Sequence, residues 1–275
     1  DTFAEAFAMW GTRIIVTAAN LEWARAAAQS MTGFATSVIG CKCEAGIERE
    51  LNQEESPDGR PAISILLFAM DKGALGKRLV ERIGQCVMTC PTTACFSGLN
   101  SEHSLSVGGK LRYFGDGHQA SKKLGQTRMW RIPVMDGEFL VQDRFGVQPA
   151  MGGGNLILCG ETAAVTVAAA SAAVSAIRTL TEVALPFPGG VVRSGSKVGS
   201  RYKALPASTN HAYCPTLKAV VADSSLGAGI NCALEIVIDG LTEASVRIAM
   251  GAGARAAARP GLTTISAGNY GGKLG

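Results

Sequence analysis

RIIVTAANLEWARAAAQSMTG, residues 13–33, decides how the rest of the chain is read. Residues 13–18 are rich in β-branched side chains and read as a strand. Asn20 is an N-cap, able to accept from the free N–H groups that open an Ala-rich helix reaching about Met31, and Gly33 ends it. Outward from this half-unit, residues 35–40 read as a second strand. Turn-forming residues 52–60 then lead into 62–70, a continuous apolar run that reads as a buried strand. Leu75, Leu79 and Ile83 recur at helical spacing, and residues 85–89 begin another strand. The second half repeats the pattern, with strands at 139–141 and 155–159, a helix at 163–180, and a strand at 190–193 before a long loop. A strand at 234–239 follows, and Thr242 caps a helix to about Arg259, which Pro260-Gly261 stops before a last strand at 263–267. Two copies of β-α-β-β-α-β form the ferredoxin-like split βαβ arrangement. The predicted fold is α+β. It has two lobes from an internal duplication, residues 1–138 and 139–275, each an antiparallel-containing sheet backed by helices.

Composition narrows the function classes. Of 275 residues, 47% are hydrophobic and 17% charged, a balance that suits a compact chain and not a disordered one. No apolar run reaches the ~20 residues of a membrane helix. No basic-then-apolar leader is visible either, so the expectation is a cytoplasmic protein without membrane contact. Residues 1–138 carry 15 basic and 15 acidic side chains, and residues 139–275 carry 11 and 7. The whole net charge of +4 therefore lies in the second half. Aromatic content of 6% and the absence of a basic stripe argue against nucleic acid. Small polyanionic ligands fit better. Eight cysteines accompany three histidines, and Cys86, Cys90 and Cys95 match no common ligand spacing. The cysteines are expected to be small buried hydrophobes, and no metal is expected.

The loop at 186–216, PFPGGVVRSGSKVGSRYKALPASTNHAYCPT, lies between two apolar strand-like runs and carries the main active-site expectation. Its glycines and prolines make it stiff and shaped. Arg193, Lys197, Arg201 and Lys203 fall close together, suggesting an anionic ligand; the alternative is a surface loop with solvated charges. Ser194-Gly195-Ser196-Lys197, Ser208-Thr209-Asn210 and Lys273-Leu274-Gly275 echo the penicillin-recognising serine hydrolases. Gly195 and Gly199 oppose the helix that chemistry needs, and the short interval leaves no room for the intervening domain. The Gly-rich runs fit neither a P-loop nor a dinucleotide fingerprint.

Glu235 interrupts the apolar strand at 234–239. Alternation places Leu234, Ile236 and Ile238 on one face and Glu235, Val237 and Asp239 on the other. Either that second face is solvated, or another lobe or subunit covers it and desolvation keeps the carboxyl protonated. A neutral carboxyl can donate to a developing oxyanion or protonate a leaving nitrogen.

Longer matches join these signals: DTFAEAF (1–7), TGFATSVIGCKCEAGI (32–47), SPDGRPAISI (56–65), ERIGQCVMTCPT (81–92) and YFGDGHQ (113–119). They continue through PFPGGVVRSGSKVGS (186–200), LPASTNHAYCPT (205–216), LEIVIDGL (234–241) and ISAGNYGGKLG (265–275). With them the chain resembles the formylmethanofuran:tetrahydromethanopterin formyltransferase family along nearly its whole length. The resemblance implies reversible transfer of a formyl group between the methanofuran amine and N5 of tetrahydromethanopterin. Both would act as cosubstrates, with no tightly bound cofactor and no metal. It places the family's catalytic glutamate on Glu235. It further implies a homodimer or homotetramer, and the basic, Ala-rich composition resembles bacterial members. Those act with hydrolase subunits in a formyltransferase/hydrolase complex of methylotrophic formaldehyde oxidation. Substrate-binding roles are expected for Arg193, Ser194, Ser196, Lys197, Arg201, Ser208, Thr209, Asn210 and Tyr213, with Gln85, Thr89 and Thr92 in the first lobe. The other-class alternative is a non-catalytic pterin-binding or scaffold subunit.

Overall fold

The computed structural model describes residues 3–269. Residues 9–150 form one compact unit; the residues from 151 onward form a second together with the chain start up to residue 8. In the first unit the order is β1 (Phe7–Thr17), α1 (Leu21–Thr32), α2 (Val38–Cys41), β2 (Glu44–Leu51), β3 (Ala62–Ala69) and α3 (Lys72–Arg82). Then come β4 (Ala94–Ser97), β5 (His103–Ser106), α4 (Gly108–Leu111), β6 (Ala120–Leu124), β7 (Thr127–Val134) and β8 (Gly137–Gln142). The long β9 (Arg144–Gly160) starts in this unit and ends in the other.

The first sheet runs β2-β3-β1-β4 with antiparallel neighbours. It continues through a parallel β4–β8 pair to β7 and β6, so the sheet is mixed. Every residue of β3 is buried, as its unbroken apolar run requires. The Asn20 carboxamide accepts from Trp23 N at 3.0 Å and starts α1. Ala24, Ala27, Ala28 and Met31 then seal one face of α1 into the core. Small residues let the helix lie close, so each buried apolar side chain here contributes through tight contact as well as area. Leu75, Leu79 and Ile83 form the buried face of α3 and its extension.

The second unit adds α5 (Ala163–Ile177), β10 (Val183–Ala184), β11 (Lys197–Val198), β12 (Ala207–Ser208), β13 (Cys232–Gly240), α6 (Glu243–Ala257) and β14 (Leu262–Ser266). Its sheet order is β10-β13-β9-β14, all antiparallel. Ile236 and Ile238 are fully buried against α5 and α6. A Thr242–Ser245 capping box starts α6. Gly154 lets α6 settle close to β9, since a Cβ there would collide with Val246.

Three sequence expectations are corrected. Residues 35–40 are not a strand: the Ser37 hydroxyl accepts from Ile39 N and opens the one-turn α2, and the strand begins only at Glu44. Residues 85–89 prolong α3 through a wide turn, Ile83–Val87, with Met88 N reaching Ile83 O at 2.9 Å. Val87 faces the same core as Ile83 there, so its apolarity serves a helix and not a strand. Residues 190–193 form no extended strand. Gly189 and Gly190 hold a tight turn at positive φ, leaving only Val192 to bridge Glu235. Of the meander β6–β8, only β8 had a counterpart in the sequence reading, the strand expected at 139–141, and it belongs to the first unit and not to the second; β6 and β7 had none. Of the eight cysteines only Cys43, Cys95 and Cys159 are buried; the other five are partly exposed.

Among the described residues no helix is long and apolar enough to cross a membrane. Among them, too, no three His, Cys, Asp or Glu side chains group as metal ligands.

Candidate active site

Glu235 sits in the middle of β13, held on both sides. It pairs with Ile157 of β9, and its N–H and C=O bond the backbone of Val192 at 2.9 and 2.7 Å. The strand pleat turns Ile236 and Ile238 into the helix-backed core and Glu235 with Ala233 to the opposite face. That face is half-buried within this chain, with Glu235 and Ala233 partly exposed. Ile157, Cys159, Leu226 and Ile230 form a small apolar cluster on it, with Tyr213 and Ala233 packed against them.

A cleft of about 300 Å³ opens beside this cluster. Its floor is Ile157, Ala233, Leu234 and Glu235; its walls come from residues 192–195 and from Asn210 and 213–216. Among the described residues no counter-ion or hydrogen-bond donor reaches the Glu235 carboxyl, and burial alone pushes it up to about 7. A carboxyl in this state is half protonated near neutral pH and can act as donor or acid. Arg193 and Ser194 stand exposed at the cleft mouth. Gly195 lies at φ +56, where a Cβ would press on Asn210 at 3.4 Å, so the wall turns back on itself there without strain.

Of the residues singled out in the sequence, Glu235, Arg193, Ser194, Asn210 and Tyr213 meet in this cleft. Lys197 and Ser208 are instead paired across the β11–β12 hairpin, where the Ser208 hydroxyl donates to Gly199 O at 2.8 Å. Ser196 lies just before that hairpin, and Arg201 is exposed in its turn. Thr209 meets the Cys214 sulfur at 3.5 Å. Gln85, Thr89 and Thr92 belong to the other unit. There Thr89 bonds back to Gln85 O, and Thr92, at φ +64, accepts from Ala19 N. Ser194-Gly195-Ser196-Lys197 is loop running into β11, not a helix start, and Lys273–Gly275 lies outside the described residues. The sequence reading missed Ile157, whose place beneath Glu235 depends on pairing register. It also missed Cys214, Pro215 and Thr216, although they directly follow Tyr213 in the loop.

Known proteins match this chain throughout. A family model described as formylmethanofuran-tetrahydromethanopterin formyltransferase matches residues 1–134, and the model of that family's proximal lobe matches residues 137–275. A formylmethanofuran–tetrahydromethanopterin formyltransferase of Methylococcus capsulatus is 58% identical over 279 residues, covering 100% of this chain and 93% of the relative. The crystal structure of the formyltransferase/hydrolase complex from Methylorubrum extorquens with methylofuran contains a similar chain. It matches with a TM-score of 0.96 at 53% identity, covering 100% of this chain and 92% of that one. The formyltransferase structure from Methanosarcina barkeri matches with a TM-score of 0.94 at 45% identity, covering 100% and 94%. With its α+β architecture and its whole length matched, the chain belongs to the formylmethanofuran–tetrahydromethanopterin formyltransferase family.

Proposed function

We infer that the Glu235 cleft is where the chain performs its family's reaction, reversible transfer of a formyl group between the methanofuran amine and N5 of tetrahydromethanopterin. The observation that carries this is the carboxyl raised to about 7 by burial, in a cleft, without a counter-ion. The acceptor nitrogen attacks the formyl carbon, a C–N bond forms, and the carbonyl oxygen becomes an oxyanion. Neutral Glu235 donates to that oxyanion or passes its proton to the departing nitrogen as the old C–N bond breaks. The attacking nitrogen then gives up its own proton, to the Glu235 carboxylate where Glu235 has protonated the leaving nitrogen, or through water to the leaving nitrogen where Glu235 only donates a hydrogen bond. The exchange therefore balances without a formyl-enzyme. Positioning two large cosubstrates supplies much of the rate, because bound geometry replaces entropic cost.

Arg193 and Ser194 at the mouth are proposed to hold substrate, as are Asn210 and Tyr213 in the wall. Lys197, Arg201, Ser196, Ser208 and Thr209 extend that role along the hairpin as a cationic and hydroxyl-rich arm. Gln85, Thr89 and Thr92 are proposed substrate contacts of their own unit.

The finer architecture belongs to the same reading. Two ferredoxin-like lobes are supported by the shared strand orders, β2-β3-β1-β4 and β10-β13-β9-β14. The proposed boundary near residue 138 is a family-level division, since the compact units divide at residue 150. The two family models, meeting between residues 134 and 137, add support. A cytoplasmic homodimer or homotetramer is likewise proposed. Association with hydrolase subunits rests on the Methylorubrum extorquens relative, whose name makes it one component of a formyltransferase/hydrolase complex.

A formyl-transfer assay with both cosubstrates tests the central claim. Glu235→Ala should fold normally and lose roughly 10²–10⁴ in kcat, the usual contribution of a positioned acid. If the carboxyl only donates a hydrogen bond, Glu235→Gln keeps much of the activity; if it transfers a proton, Gln is nearly as damaged as Ala. Wild-type turnover by Glu235→Ala with both cosubstrates saturating would overturn the assignment.

A further inference from the structure

We propose that His211 and Asp223 are a positioning pair that keeps the wall of the Glu235 cleft closed over the carboxyl; the proposal rests on the reading of Glu235 given above. The wall, residues 210–216, has no ladder of its own. It consists of two single 3-10 turns, His211–Tyr213 and Pro215–Leu217, with extended Cys214 between them. Turns this short are weakly self-supporting.

What ties this wall down is the segment at 223–230. His211 Nε2 meets Asp223 Oδ2 at 2.8 Å, Ser225 N donates to Ala212 O at 2.8 Å, and Tyr213 packs on Leu226 and Ile230. The backbone bond and the apolar contact are part of the core on the Glu235 face. Two side-chain ties are separable from that core. The Lys218 ammonium donates to Gly227 O and Ile230 O just past the wall. The imidazole–carboxylate contact acts within the wall itself, and its side chains do not line the cleft.

The charged and titratable groups around it are Lys197, Lys218 on the segment at 227–230, and, lining the cleft beside Glu235, Arg193, Tyr213 and Cys214. The hydrogen bond from His211, helped by the charge of Lys197, holds the Asp223 carboxyl below its usual range. Asp223 is 67% exposed, so the pair adds little to global stability, and its effect is local.

The test uses the purified full chain with His211→Ala, His211→Gln and Glu235→Gln. Cys214, partly exposed in the wall, reports opening through its rate of alkylation by iodoacetamide, mapped by mass spectrometry without substrate. His211→Ala should alkylate Cys214 roughly fivefold faster or more, as local opening exposes it. Its Tm should stay within about 2 °C of wild type. His211→Gln keeps an amide donor for Asp223 and should restore the slow rate. In turnover, His211→Ala should move the alkaline fall of the pH–rate profile to lower pH, because water reaching Glu235 relaxes its raised pKa. Cys214 alkylation at the wild-type rate in His211→Ala, or equally fast in both His211 variants, overturns the proposal. If Glu235→Gln retains the wild-type rate and the same alkaline fall, the acid role of Glu235 fails instead. The alkylation comparison still decides the wall.

Discussion

Replacing Glu235 by Gln should change how stability depends on pH, and the size follows from the site. Burial moves the carboxyl from 4.5 to about 7 in the folded chain. Below pH 4.5 both folded and unfolded chains hold the proton, and the group costs nothing. As pH rises, the unfolded chain ionises first, so wild-type stability falls until the folded carboxyl ionises as well, near pH 7. The full loss corresponds to about 3 kcal/mol, of which about 2 kcal/mol falls between pH 5 and pH 8. Both figures are upper bounds, since water entering on ionisation relieves part of the cost. Gln has the same shape and no such loss. For a domain of this size about 2 kcal/mol corresponds to roughly 4–8 °C. The Tm of the Gln variant relative to wild type should therefore rise by that amount between pH 5 and pH 8, followed by circular dichroism at fixed ionic strength. A constant gap across the range would mean that the carboxyl titrates normally in the folded chain. The cleft would then be wet, and the acid role would lose its physical basis.

Substituting Lys197 and Arg201 together by Gln should raise KM for the anionic cosubstrates more than it lowers kcat, and should flatten the salt dependence; an unchanged KM at low ionic strength would make them solvated surface charges. Glu48→Ala should destabilise by roughly 3 kcal/mol in thermal melts. Arg13 donates to both Glu48 carboxylate oxygens at 2.7 Å and would be left without its buried partner. Gly154→Ala should cost roughly 1–3 kcal/mol, because the new methyl overlaps Val246 and α6 must lift from β9.

The elements legible in the sequence were those whose signals are local. Asn20, Thr242 and the unbroken apolar run of β3 announced themselves through capping and hydrophobicity, and the structure places them accordingly. The misread segments at 35–40 and 85–89 carry β-branched residues whose preference yields to surroundings. Ser37 offers a cap, and Val87 finds a core partner along a helix. Glu235 stood out because an acid flanked on both sides by apolar strand residues is conspicuous. Its cover did not, because Ile157 lies far away in sequence and meets it only through strand register, and Leu226, though close in sequence, reaches that face only through the packing of a loop. The basic cluster was visible as charge, but only Arg193 of its four members lines the cleft. The β11–β12 turn carries Arg201 and Lys203 on its exposed surface.

Apart from Ile157, every lining residue of the cleft falls between Val192 and Glu235, and all belong to one compact unit. The Glu235 carboxyl, the bend beside it and the hairpin that extends from it therefore travel together on one short length of gene. A crossover upstream of Gly190 and another just past Ile236 would transplant every lining residue but Ile157 into a related scaffold. Such a block exchange should carry the donor protein's pH–rate profile with it, and lineages could retune acidity or cosubstrate preference by recombination without disturbing the helices behind the sheet.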